Sequence, residues 1–153
     1  MKIVIYNIDK GGKEKLYTPL QEHYIKSSSK FAKIEIKSIF TKEIAKAQDS
    51  TEQLAKLSYT NALKPFLGNG YDIVLDPKGE SIDSYEFAKL IQNRSKINFY
   101  IGGAYGFEDN FINQCNKSIS LGKITLSHKL IRLVLLEQLF RGLSIINNHP
   151  YHK

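Results

Sequence analysis

Two hydrophobic periods alternate along this chain. KIVIYNI (2–8) reads as a first strand, and KIEIKSIF (33–40) alternates cleanly between apolar and polar residues with the period of a strand. Between them, residues 13–28 carry Leu16, Leu20, Tyr24 and Ile25 on one helical face, with Pro19 tolerated if the helix starts near Tyr17. Residues 42–64 predict one long helix with Ile44, Ala47, Leu54, Leu57 and Ala62 facing inward, ended by Pro65 and the GNG at 68–70. YDIVLD (71–76) and INFYIGG (97–103) are nearly continuous apolar runs, the mark of strands buried on both faces of a parallel sheet. Residues 81–94 predict a helix capped by Ser81, with Tyr85, Phe87, Leu90 and Ile91 on its apolar side, and 107–116 a shorter one. ISLGKITL (119–126) reads as a strand or an extended loop, and Ser127 to Ile146 as a last helix, apolar around most of its circumference and therefore buried on more than one side. Strand and helix alternate almost throughout, which predicts an α/β protein with a mainly parallel sheet.

At 153 residues the expectation is a single domain, 1–153. Apolar residues at 42% and charged residues at 24% argue against disorder. No apolar run approaches the roughly 20 residues of a membrane span, and MKIVIYNIDKGG lacks the apolar core and cleavage site of a secretion signal. The single Cys115 allows no disulfide within the chain. These points together predict a cytoplasmic protein with no membrane partner. The formal charge is +7, from 22 Lys and Arg against 15 Asp and Glu. A polyanion, nucleic acid above all, is the partner such an excess favours, although plain solubility explains it too.

Parallel sheets bind ligands beyond the carboxyl ends of their strands. Three such ends stand out: LDPKG (75–79), IGGAYG (101–106) and ITLSH (124–128). IGGAYG is neither the dinucleotide fingerprint nor a P-loop, but glycines after a buried strand allow close backbone approach to a ligand or simply a tight turn. Asp76 can be a ligand contact or, more commonly for an aspartate so placed, the anchor of an Asx turn. Ser127 is a good N-cap with His128 in the first turn, and Glu137 and Arg141 have the spacing of a favourable helical ion pair. The chain ends NNHPYHK, and His128, His149 and His152 could converge if this tail folds back. No H-E-x-x-H or close histidine pair supports zinc, and no metal is expected.

IGGAYGF, SLGKITLSHKLIRLVLLEQLFR and NNHPYHK, taken together, closely resemble the bacterial methyltransferases that act on N3 of a pseudouridine in 23S ribosomal RNA, the smallest members of the SPOUT, or α/β-knot, superfamily. The likeness is concentrated in roughly the last third of the chain. It implies a trefoil knot near the C-terminus, S-adenosylmethionine as cofactor, a homodimer, and the large subunit or whole ribosome as partner. By position it implies cofactor contacts at Leu75, Gly103, Gly122, Lys123, Ile124, Thr125, Leu126 and Ser127, and a substrate side formed by His128, Arg141, Tyr151 and His152. Two departures stand out. Many relatives have Pro-Glu where this chain has Ala104 and Tyr105, which removes a carboxylate from the loop. Ser127 takes a position that is often proline. The alternatives are a non-catalytic RNA- or ribosome-binding module, which leaves the glycine-broken strands unexplained, and a knot-class enzyme acting on another RNA base.

Overall fold

A computed structural model describes residues 1–153. In the first strand, β1 (Lys2–Ile8), Ile3 and Ile5 enter one core while Val4, Tyr6 and Ile8 enter another. Successive side chains of a strand point to opposite faces, so a strand covered on both sides reads as a continuous apolar run. The same division runs through β2 (Lys33–Ile39), β3 (Tyr71–Ser81) and β4 (Lys96–Ile101), while the edge strand β5 (Lys117–Ser120) gives Ile119 to the first core. All pairings are parallel, in the order β2-β1-β4-β3-β5. On one face lie α1 (Thr18–Ser28), α4 (Ser84–Ile91) and α6 (His128–Ile146). On the other lie α2 (Lys42–Gln48), α3 (Glu52–Leu63) and α5 (Asp109–Gln114). This is the mainly parallel α/β sandwich that the alternation predicts.

Three local readings need correction. The helix expected over 42–64 is two helices, because Thr51 adopts an extended backbone and its hydroxyl accepts from the Leu54 N–H at 3.2 Å, starting a new helix. The break resets the phase: Ala55, Tyr59, Thr60 and Leu63 are buried, while Leu54 and Leu57, expected inside, are exposed. Ser81 is not a cap. It still belongs to β3, opposite Ser120, and Asp83 caps α4 in a capping box with Glu86. Finally, β3 does not end at Asp76. Leu75 and Glu80 both face Ile119, so residues 76–79 bulge out of the ladder and β3 resumes beyond them.

The bulge shapes the carboxyl-terminal edge of the sheet. Asp76 forms an Asx turn, its Oδ1 accepting from the Lys78 N–H at 2.7 Å. A Cβ on Gly79 would lie 2.7 Å from the Ile119 carbonyl carbon, so only glycine lets the bulge fold this tightly against β5. The chain leaves the neighbouring carboxyl ends of β1 and β4 in opposite directions, toward β2 and toward β5, which opens a crevice at that edge of the sheet.

Candidate active site

A cleft of about 630 Å³ opens at this edge, where the β3 bulge, the loop after β4 and the loop after β5 meet the start of α6. Its apolar wall includes Leu75, Ile101, Phe107, Leu126 and Ile131, and the carboxylates of Asp76 and Asp109 also border it. Gly106 (φ 72°) and Gly122 (φ 141°) take backbone angles that suit glycine, turning the two loops so that main chain lines the cleft. The loop after β5 ends at Ser127, whose hydroxyl accepts from the Leu130 N–H at 3.3 Å and starts α6 at His128. Leu75, Gly103, Gly122, Ile124, Thr125, Leu126, Ser127 and His128 all border the cleft, and Lys123 is exposed just outside it.

The tail forms a separate cluster. Arg141 donates to Glu137 Oε1 from Nε (3.0 Å) and Nη2 (2.6 Å), and the Tyr151 hydroxyl donates to the same oxygen at 3.0 Å. Arg141 Nη1 lies 3.3 Å from His152 Nδ1, and the His152 ring meets Tyr85 edge-on with centroids 4.8 Å apart. Burial, reinforced by the bond to Glu137, pushes the Tyr151 hydroxyl up to about 12, so it stays a donor at neutral pH. Glu137 thus gathers Arg141 and Tyr151 into one rigid group, with His152 held against the far side of the guanidinium.

The two clusters do not meet. His128 and Arg141 are thirteen positions apart on one straight helix, roughly 20 Å at 1.5 Å per residue. The expected convergence of His128, His149 and His152 therefore fails within one chain. The tail folds back over the C-terminal half of α6, and His149 packs between Phe31 and Phe140 instead. No three His, Cys, Asp or Glu side chains gather around a common point.

A third group of residues went unread in the sequence. Asp9, directly after β1, is buried, and its Oδ2 accepts from Arg132 Nη1 at 3.1 Å. Arg132 is 5% exposed. The Gln21 amide, with its oxygen toward the guanidinium, accepts from Arg132 Nε at 3.1 Å and Nη2 at 3.0 Å. Asp9 Oδ1 lies 3.4 Å from His128 Nε2. The only sequence signal was Arg132 itself, the one cation inside the apolar run 130–136. Tyr59 and Gln48 were missed too. Gln48 Nε2 donates to the Tyr59 hydroxyl at 2.5 Å, directly beneath Gly103.

A family model described as "Predicted SPOUT methyltransferase" matches residues 1–152. Among curated proteins, the chain is 58% identical over 153 residues to one from Sulfurovum sp., covering all of both chains. It is 50% identical to one from Nitratiruptor sp., over 99% of each, and 42% identical to one from Campylobacter jejuni, over all of both. Each of these three relatives is named ribosomal RNA large subunit methyltransferase H.

Proposed function

The chain belongs to the SPOUT methyltransferase family, and on that footing we propose that it transfers a methyl group from S-adenosylmethionine to N3 of pseudouridine 1915 in 23S ribosomal RNA. The observation that carries this reading is the cleft at the carboxyl ends of β3, β4 and β5, built from glycine-turned main chain and walled by His128. Its chemistry suits the cofactor. Leu75, Ile101 and Leu126 offer apolar surface to a purine, the loop backbones offer hydrogen bonds to its edge, and Asp76 and Asp109 favour a cation. Bound there, S-adenosylmethionine supplies an electrophilic methyl group on a sulfonium.

The chain's own residues orient the base and deal with its proton. The N3–H of pseudouridine is a weakly acidic imide, and its nitrogen must be held in line with the departing sulfur. His128, at the cleft wall, is a group able to accept that proton. Arg141 bears the permanent charge that holds phosphate or the developing anion, Tyr151 orients or stacks on the base, and His152 shares the substrate side.

His128 and the tail cluster act on one base only if they come from two copies, so the working unit in this reading is a homodimer with shared sites. Exposed Leu16 just before α1, Leu20 on α1, Ile124 in the loop after β5 and Leu130 on α6 offer apolar side chains suited to a second copy. The trefoil knot belongs to the same proposal. It is supported by the route of residues 121–127, all but Lys123 lining the cleft with residues of β3 and the loop after β4, before α6 packs on the opposite face from α5. No helix is long and apolar enough to cross a membrane, and the proposed place of action is the cytoplasmic ribosome.

Titration calorimetry with S-adenosylmethionine is the direct test. Saturable binding supports the reading. Its absence, with the protein folded, moves a non-catalytic ribosome-binding role ahead. For the shared site, a Gly103→Val chain mixed with a His152→Ala chain should recover about a quarter of wild-type turnover, because random pairing leaves one intact site in half of the dimers. No recovery at all would remove the support for a site built from two copies.

A further inference from the structure

A buried ion pair costs both charges their water, and apolar residues of similar volume usually hold a core together as well or better. The Asp9–Arg132 pair is nonetheless buried, and it sits where a functional group is useful: directly after β1 at the carboxyl edge of the sheet, with the Asp9 carboxylate 3.4 Å from His128, a residue of the cleft wall. Three guanidinium nitrogens of Arg132 are occupied, Nη1 by Asp9 and the other two by Gln21. Asp9 uses one oxygen for that bond, and the other faces a ring nitrogen of His128. That nitrogen, Nε2, is shut off from solvent and has no well-aligned partner, although the His128 side chain as a whole is 32% exposed. The open part of the ring is therefore the part away from Asp9.

We propose that Asp9 is a positioning residue: Asp9, Arg132 and Gln21 form a charge-balanced mount that keeps the proton of His128 on Nε2 and leaves Nδ1 as the nitrogen that meets the substrate. The reason is elementary. An ionised carboxylate only accepts hydrogen bonds, so the ring nitrogen facing it is favoured as N–H. In a neutral imidazole the other nitrogen then carries the lone pair, the state needed to take the N3 proton. Arg132 balances the carboxylate and fixes its plane, and Gln21 fixes Arg132 from α1. The other charges nearby, Lys129 on α6 and Glu14 in the loop after β1, pair with each other. This inference rests on the reading of His128 as a substrate-side group, and it adds a mount that the positions carried over from the resemblance do not include.

The test separates the two. Nitrogen-15 NMR of the imidazoles in the free protein reports the tautomer of His128 without any need for activity. Wild type should show Nε2–H. Asp9→Asn can turn an amide donor toward the same nitrogen, so the ring should change to Nδ1–H. Turnover should then fall by about a hundredfold or more, the lower end of what a positioned base contributes, while S-adenosylmethionine binds as before. Wild-type His128 in the Nδ1–H form, or an Asp9→Asn ring still protonated on Nε2, overturns the proposal, and the wild-type spectrum decides even if the variant does not fold. A tautomer that changes as described with turnover untouched leaves the mount standing and sinks the role of His128 at the substrate instead.

Discussion

A Cβ on Gly103 would come within 2.6 Å of both the hydroxyl and the adjoining ring carbon of Tyr59, a side chain that is fully buried and tied to Gln48. Glycine is therefore required here from below, by packing, whatever binds above. Gly103→Ala should push the loop after β4 into the cleft and weaken S-adenosylmethionine by about tenfold, since displacing a packed wall by even one methyl is felt. Adding Tyr59→Leu to that variant should restore part of the affinity. If calorimetry finds the double variant no better than Gly103→Ala alone, the clash is not the cause. Cys115 makes a second residue-scale case. Burial, aided by the nearby Asp72 carboxylate, pushes its thiol up to about 12, and reactivity needs the thiolate. The native protein should resist iodoacetamide at pH 8 and become labelled only on unfolding. Rapid labelling of the folded chain would contradict that.

The tail is a helix-termination device as much as a set of side chains. The Asn148 N–H donates to Ile145 O and the His149 N–H to Ser144 O, with Asn148 at φ 52°, the bonding of a Schellman motif. That turn reverses the chain and brings Tyr151 and His152 back onto α6. Asn148→Gly should keep both stability and turnover. Asn148→Val should cost about 1–2 kcal/mol for a left-handed β-branched residue and lower turnover with S-adenosylmethionine affinity intact. Equal turnover in the two variants would mean that the tail's path is irrelevant. The Tyr151–Glu137 bond also has a pH signature. A folded pKa of about 12 against an ordinary 10.0 favours the protonated phenol, so the bond's contribution is full below pH 10 and fades as pH rises toward 12. Tyr151→Phe should remove one late-titrating phenol from the alkaline absorbance curve. At this scale much was legible beforehand. The strand periods, Ser127 as a cap and the Glu137–Arg141 pair all follow from local spacing. What was not legible depended on neighbours in space: Thr51 restarting a helix inside a run of good helix formers, the β3 bulge that only β5 can template, and an Asp9–Arg132 pair separated by 123 positions. The cleft loops could be named from their glycines, but that Gly103 answers to Tyr59 could not.

For the whole molecule, charge and apolar surface point to different partners. The net +7 suits a ribosomal surface, and affinity for ribosomes should fall steeply with added salt while S-adenosylmethionine binding stays level. In the proposed reading the exposed apolar side chains meet a second copy of the chain. Leu16 is 79% and Ile124 80% exposed, and Leu20 on α1 and Leu130 on α6 are exposed as well. Within one chain, a helix separates His128 from Arg141 by roughly 20 Å, so no bending of the tail seen here unites them. Pairing through these side chains would solve both problems at once, covering the leucines and bringing one copy's tail to the other's cleft. Leu20→Glu tests that link without touching any residue assigned to cofactor or substrate. Leu20 is exposed in a single copy, so the substitution should leave the fold and its melting behaviour nearly unchanged. In the dimer it buries an unpaired carboxylate, and the chain should sediment as a monomer. Turnover on ribosomes should then drop to near background, and raising the protein concentration until dimers reappear should restore it. A monomer with full turnover would show that each copy carries a complete site, and the tail cluster would then need a purpose other than the base. A dimer that persists unchanged would move the interface away from α1, leaving the exposed leucines to some other surface.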